Sequence, residues 1–162
     1  MSYRVDREEL VGLAGKNFEE LLNCAESVTK AVAEHFSVGE GCFPRAATPF
    51  GGGMARTGGP CGAVSGALMG LGLLFGRDAG GDHRHIDRVY AMVQDFTSEF
   101  TKRFGSTLCS GLLGCDISTA RGRIEAKKRR LFTTVCPDFV RGAVEILADI
   151  VEREAEGRYD LK

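Results

Sequence analysis

The feature that most constrains the fold is an apolar stretch of fifteen residues, 62–76, that contains no charged side chain. It is shorter than the roughly 20 residues that a helix needs to cross a bilayer, so it predicts a buried helix of a protein core. Gly62, Gly66 and Gly70 recur at every fourth position, and a neighbouring helix can approach such a face until the two backbones nearly touch. We therefore predict a central glycine-rich helix over about residues 61–76. The same close packing would also suit a homodimer.

The rest of the chain repeats its apolar residues at helical spacing and has almost no period-two alternation, which indicates helices rather than strands. Asp6 is the expected N-cap of a first short helix, which Gly12 weakens towards its end. Leu21 and Tyr90 are expected on the buried faces of the predicted helices over 17–35 and 83–104. The helices are predicted over residues 6–14, 17–35, 83–104, 118–130 and 136 to about 151. The predicted fold class is all-α, a compact multi-helix bundle that forms a single domain of residues 1–162.

The charge balance argues against two classes of partner. The chain has 21 basic and 22 acidic residues and a net charge of −1, so it has no overall field that would attract nucleic acid or an anionic membrane. We expect neither as a partner. The one basic run, residues 121–130, is interpreted as a solvated helix face. Docking of an acidic redox partner is the alternative for that run.

Six cysteines suggest chemistry, because residues 1–9 contain no apolar run of the kind that begins a secretory signal. We therefore expect a cytoplasmic protein, whose thiols stay reduced. In that setting, cysteines more often bind metal or carry out redox reactions than form structural disulfides. The alternative is that some of them are small buried hydrophobes, and for Cys24 taken alone this is the more common outcome.

Cys61 follows a loop in which six of twelve residues, 51–62, are glycine, so the backbone there can crowd close to a bound group. The predicted helix then begins at or next to Cys61. The dipole and free N–H groups of a helix start favour the thiolate form, and Cys136, which precedes Pro137, has the same arrangement. Cys61 and Cys136 are therefore the candidate reactive thiols.

The glycine loop itself is a candidate binding element. Its amides could donate hydrogen bonds to sulfur or to an oxyanion above Cys61; the alternative is a tight packing turn. Arg56 is a candidate to stabilise the Cys61 thiolate, or else a surface arginine. The glycines assigned to this candidate binding role are Gly51, Gly52, Gly53 and Gly62.

The three histidines are expected to have structural or surface roles. His83 and His85 begin a predicted helix two residues apart, so they point in different directions and are poorly placed to share a metal. His35 lies near the end of a helix and is expected to interact with its last carbonyl groups.

Several motifs occur together in an order that resembles one known family. They are NCAESV (23–28), FGGGM (50–54), CGAVSGALM (61–69), CSGLLGCD (109–116) and CPDFV (136–140). This pattern resembles the bacterial and archaeal C_GCAxxG_C_C family of redox-active proteins, and the resemblance covers roughly residues 17–150.

The resemblance implies that the family's four cysteines are Cys24, Cys61, Cys109 and Cys136. The family's domain is similar to part of the split-Soret cytochromes, which carry iron–sulfur and haem groups. This chain has no Cys-x-x-Cys-His sequence, so covalent c-type haem attachment is not expected. Cys42 and Cys115 are additional; Cys115 could be a spare ligand or a resolving thiol.

Three functions follow as alternatives. The first is electron transfer through an iron–sulfur cluster on the four cysteines, with an unidentified redox partner protein. The second is thiol–disulfide exchange, with Cys61 as the attacking thiolate and Cys136 or Cys109 as the resolving thiol. The third is a helical module that is stapled by zinc and binds a partner.

Overall fold

The computed structural model describes residues 3–39, 41–81 and 83–159, which form a helical bundle without β-strands. This confirms the predicted all-α class. The α-helices are α1 Arg7–Glu19, α2 Cys24–Phe36, α3 Gly62–Phe75, α4 His83–Phe104, α5 Cys109–Leu113, α6 Ala120–Lys128, α7 Leu131–Thr134 and α8 Cys136–Ala155. A short 3₁₀ helix, Arg45–Phe50, lies between α2 and α3.

The glycine-rich helix α3 is central, as predicted, and its glycine face packs on α2. A Cβ atom added to Gly66 would lie 2.9 Å from both the carbonyl oxygen of Ala25 and the Cβ atom of Val28. One added to Gly62 would lie 3.1 Å from the Cβ atom of Cys24. The two backbones therefore meet at the start of both helices. None of the helices in the described ranges combines the length and apolarity that crossing a membrane requires.

The first two helices are divided differently from the prediction. The chain continues through Gly12 to complete α1, and the predicted continuous helix over 17–35 is wrong. Leu21 adopts a left-handed conformation with φ 70°, and its side chain is 93% exposed rather than buried. Asn23 then begins α2 with a capping box, in which its side chain accepts from the Glu26 N–H while the Glu26 carboxylate accepts from the Asn23 N–H.

The prediction for His35 is also wrong. Instead of the α2 carbonyl groups, its ring contacts the start of α1. Its Nδ1 lies 2.8 Å from a carboxylate oxygen of Glu9, and its Nε2 accepts a hydrogen bond from the Asp6 N–H. Asp6 caps α1, as expected, by accepting from the Glu9 N–H.

Helices α4 and α8 pack against each other and against α3 to complete the core. The bounds of α4 match the prediction, and Phe96 and Phe100 are buried on it. Tyr90 is 62% exposed, so its predicted burial is wrong. Helix α8 begins at Cys136, as predicted, directly after the short helix α7.

Candidate functional site

Two of the four family cysteines meet where α2 and α3 begin. Cys24 is the first residue of α2, and Cys61 is the N-cap of α3. The glycine at position 62 lets these two helix starts approach, because a side chain there would meet Cys24. Cys61 is only 3% exposed, whereas Cys24 is partly buried.

Cys109 joins them through a short backbone pairing that the sequence did not indicate. The N–H of Cys61 donates to the carbonyl of Thr107 at 2.8 Å, and the N–H of Cys109 donates to the carbonyl of Gly59 at 2.8 Å. An isolated antiparallel bridge between Pro60 and Leu108 lies at the centre of this pairing. No local sequence signal reports a contact between segments this far apart in the chain.

Cys136 completes the group from the N-terminus of α8. It is 5% exposed, and its side chain shares a hydrogen bond with Cys24. Cys24 also interacts electrostatically with Cys61 and Cys109. Four cysteines from four separate segments therefore form one cluster, which we call the cysteine cluster: Cys24, Cys61, Cys109 and Cys136.

The glycine loop covers one side of the cysteine cluster. Its residues 52–56 all have positive φ, between 52° and 67°, so they make a left-handed turn. The turn packs tightly, because a Cβ atom on Gly53 would lie 2.5 Å from the carbonyl oxygen of Gly59 and 2.8 Å from the Cβ atom of Cys109. Three of the five residues in the turn are not glycine, although a left-handed conformation costs such residues about 1–2 kcal/mol each.

The prediction that the helix start makes Cys61 a thiolate is wrong. The N–H groups of Ala63 and Val64 lie near its sulfur and favour the charged form, as a helix N-terminus should. Burial outweighs them, since a thiolate removed from water loses its hydration. The pKa of Cys61 is therefore raised to about 11. Arg56 is exposed and is not among the groups that shift this pKa.

Cys136 behaves in the opposite way. The hydrogen bond from Cys24 lowers the pKa of Cys136, even though burial opposes the shift. The same hydrogen bond, together with burial, holds the pKa of Cys24 well above its usual range. In Cys109, burial and the charges of Cys61 and Cys136 raise the pKa to about 12. Cys136 is thus the member of the cluster that ionises most readily, with Cys24 as its hydrogen-bond donor.

The arrangement is not a preformed site for one metal ion. Within the described ranges, no three side chains among the histidines, cysteines, aspartates and glutamates are placed to hold a single ion. Binding of a single metal ion would therefore require the cysteine side chains to move from these positions.

The remaining candidates lie at different distances from the cluster. Cys115 is partly buried, and its charge helps to raise the pKa of Cys109, so it lies next to the cluster. Cys42 is exposed. His83 is also exposed, as predicted, whereas the predicted surface position of His85 is wrong: it is partly buried, with its Nε2 2.6 Å from the Phe75 carbonyl oxygen.

Fold and site together define a class: an all-helical protein with a buried cluster of four cysteines drawn from separate segments. The comparison with family models gives the family itself. Residues 22–150 match the family described as "Putative redox-active protein (C_GCAxxG_C_C)", and the chain belongs to that family. No curated protein and no solved structure matches the chain.

Proposed function

We propose that the chain is an electron-transfer protein whose redox centre is an iron–sulfur cluster held by the four cysteines of the cysteine cluster. The observation that supports this most is the gathering of four thiols from four segments at one buried place. Thiol–disulfide exchange needs two thiols, whereas iron–sulfur clusters are commonly held by four thiolates. Burial of the thiols is no obstacle to electron transfer, because electrons can tunnel through a short thickness of protein.

The chemistry of the donor set fits such a group. The charges of neighbouring cysteines raise the pKa values of Cys24, Cys61 and Cys109, so four thiolates at this spacing repel one another. Full ionisation of the set therefore calls for positive charge at its centre, and iron would supply it while taking up and returning electrons. Cys136, whose pKa is already lowered, is the first candidate ligand to ionise.

The chain's own residues would tune and shield this centre. The N–H groups of Ala63 and Val64 would stabilise negative charge on the sulfur of Cys61 once it is a ligand, which would favour the reduced state of a bound group. The tight approach of Gly53 to Cys109 excludes water from that side. Close backbone approach also gives Gly62 a role in surrounding the bound group, because a Cβ atom there would lie 3.1 Å from the Cβ atom of Cys24. Gly51 and Gly52 pack instead on Asn23 and Arg56.

A second candidate, thiol–disulfide exchange, is favoured by one specific observation: the hydrogen bond between Cys24 and Cys136. The Cys136 thiolate would attack one sulfur of a partner's disulfide and release one partner thiolate. Cys24 would then displace the second partner sulfur, which leaves a Cys24–Cys136 disulfide and a reduced partner. In this scheme Cys136 replaces Cys61 as the nucleophile, since it has the lowered pKa.

The decisive experiment is the content of iron, acid-labile sulfide and zinc in chain purified without oxygen, together with its visible spectrum. Iron and sulfide with broad visible absorbance are expected, and serine at Cys61 should abolish both. Serine at the exposed Cys42 is the matched control and should leave them unchanged.

Two other results would contradict the iron–sulfur proposal. A colourless, iron-free protein that reversibly loses two thiols on mild oxidation would establish the second candidate. One zinc per chain, with unfolding by a chelator and no redox change, would instead indicate a zinc-stapled module.

A further inference from the structure

Most of the exposed large apolar side chains stand on chain segments that precede the four family cysteines. Six large hydrophobic side chains are exposed in the described residues, and four of them stand on the segments that lead into the family cysteines. Tyr90 and Ile124 are the other two. The four, which we call the apolar rim, are Leu21 before Cys24, Met54 before Cys61, Leu108 before Cys109 and Phe132 before Cys136.

Contacts across the surface connect Leu21 with the segment of Phe132, the first two members of the apolar rim along this path. Leu21 lines a groove together with Thr133 and Pro137, which places it next to the segment that carries Phe132. Two residues further on, the side chain of Asn23 donates a hydrogen bond to the carbonyl of Thr48 at 3.2 Å. The rim thus runs from the start of α8 to the beginning of the glycine loop.

The second half follows the glycine loop. Asn23 also packs against Gly51, where an added Cβ atom would lie 2.7 Å from its side chain. From there the left-handed turn presents Met54, which is 43% exposed. The turn is fixed to the Cys109 segment, because the carbonyl of Gly59 accepts from the N–H of Cys109, and Leu108 is exposed at that point. The rim therefore lies around the cysteine cluster.

Positive charge accompanies two of these four apolar side chains, Met54 and Phe132, whereas the carboxylate of Glu19 lines the groove beside Leu21. Arg56 lies two residues from Met54 and Arg130 two residues from Phe132, and both are exposed. Neither forms an ion pair with any residue that the structure describes. The cations that line the groove itself, Lys16 and Arg141, are paired within their own helices, with Glu20 at 3.9 Å and Asp138 at 3.6 Å. Arg56 and Arg130 are thus free to meet carboxylates from outside.

We propose that the apolar rim is the docking surface for the electron-transfer partner of the cysteine cluster, and that this partner carries a small apolar patch surrounded by carboxylates. The inference rests on the proposed function, because it assumes that electrons enter or leave at this cluster. The reduced partner gives up one electron and the centre gains it; no bond forms or breaks and no proton moves. Apolar contact brings the two centres close, and opposite charge steers the encounter.

Flavodoxin, a small acidic flavin carrier, is a suitable probe. Binding of oxidised flavodoxin at low salt is measured by calorimetry, and reduction of the chain is measured with reduced flavodoxin and with methyl viologen. One variant combines Met54→Ser with Phe132→Ser, and another combines Arg56→Glu with Arg130→Glu. The matched control combines Tyr90→Ser with Arg84→Glu, both on α4.

Both rim variants should bind flavodoxin at least about tenfold more weakly. The serine variant loses apolar contact area, and the arginine variant loses the electrostatic attraction that steers an acidic partner. The control should bind like the wild type, and methyl viologen, which needs no docking surface, should reduce every variant at the same rate. Higher salt should weaken flavodoxin binding to the wild type and have less effect on the arginine variant.

Three results would overturn the docking proposal: unchanged flavodoxin binding in the rim variants, equally tight binding of a basic carrier such as cytochrome c, or a wild-type dimer that the rim variants abolish. Failure of methyl viologen to reduce the wild type would overturn the proposed function instead. Flavodoxin binding does not require a loaded centre, so it would still decide the docking proposal.

Discussion

Cys61 and Cys136 both stand at the start of a long helix, yet their pKa values shift in opposite directions. Two backbone N–H groups of its helix favour the charged form of Cys61, yet its pKa is still raised to about 11. Cys136 has its pKa lowered, and the cause is the side chain of Cys24. Both thiols are nearly inaccessible, at 3% and 5% exposed, so exposure does not explain the difference.

The comparison teaches that a helix start is a weak guide to thiolate character when the sulfur is buried. Loss of hydration opposes ionisation at both positions. A neighbouring thiol that donates a hydrogen bond overcomes this loss at Cys136, whereas two amides do not overcome it at Cys61. Sequence reveals helix starts but not how deeply a sulfur is buried, and for that reason the expectation for Cys61 failed.

The largest expected effect concerns the pH dependence of stability in reduced protein without a bound group. A thiol with a raised pKa keeps its proton in the folded state, whereas the same thiol in the unfolded chain loses it above its ordinary pKa of 9.0. The free energy of unfolding should therefore fall as pH rises from 9 towards 11. Cys61→Ser should remove about 2–3 kcal/mol of that fall, at 1.36 kcal/mol per pKa unit.

Urea unfolding at a series of pH values measures this effect. Cys42→Ser is the control, because its thiol is exposed, and its pH profile should follow the wild type. If Cys61→Ser has the same slope as the wild type above pH 9, the raised pKa of Cys61 is refuted.

The next effect tests the packing that brings the two helix starts together. Gly66→Ala would place a Cβ atom 2.9 Å from the backbone oxygen of Ala25, so α2 must shift away from α3. We expect a loss of about 1–3 kcal/mol in the free energy of unfolding. The control is Gly72→Ala in the same helix, where an added Cβ atom meets nothing within 4 Å.

Gly72→Ala should stabilise the chain by up to about 1 kcal/mol, because alanine is the better helix former. Equal effects of the two substitutions in chemical denaturation would contradict the close packing of α2 on α3.

A smaller effect concerns the neighbouring cysteines that shift the pKa values of Cys136 and Cys61. Cys24→Ala removes the hydrogen-bond donor, so the pKa of Cys136 should rise and its thiolate fraction at neutral pH should fall. Cys136→Ser should lower the pKa of Cys61, since the charge of Cys136 is one of its causes, but burial should keep it above the ordinary value. Titration of ¹³Cβ-labelled cysteines by NMR reports both shifts. An unchanged Cys136 titration in Cys24→Ala would show that the hydrogen bond is not its cause.

The smallest effect concerns the approach to Cys61. Ala55 lies in the left-handed turn with φ 52°, a conformation that glycine adopts without cost. Ala55→Gly should stabilise the fold by about 0.5–1 kcal/mol, which corresponds to roughly 1–4 °C in Tm for a chain of this size. A thermal melt measures it. A lower Tm would mean that this backbone is not strained.

Sequence periodicity was sufficient for the helices whose apolar faces are continuous. The bounds of α4 and the start of α8 were predicted because their patterns are long and end at clear signals, Gly105 and Pro137. The break before α2 was missed because Leu21 fits the helical pattern. The signal that could have found it was local: Asn23 followed three residues later by Glu26 is a capping box.

The candidate site could be predicted only as a set of residues. The four cysteines were identified by resemblance, but the contact of Cys24 with Cys136 and the pairing of the Cys61 and Cys109 segments are tertiary. The left-handed turn was also out of reach, because Met54 and Ala55 are not residues that favour positive φ. Burial, which decides the pKa values, is known only once the helices are packed.

The central claim is that the four cysteines act as one centre. Iron and sulfide content, measured in oxygen-free preparations of the wild type and of five single cysteine-to-serine variants, tests it most directly. The variants are those at Cys24, Cys61, Cys109, Cys136 and, as the control, Cys42. The account predicts that the first four lose iron and sulfide together while the fifth retains both. Full iron and sulfide in any of the first four, or none in the wild type, would contradict it.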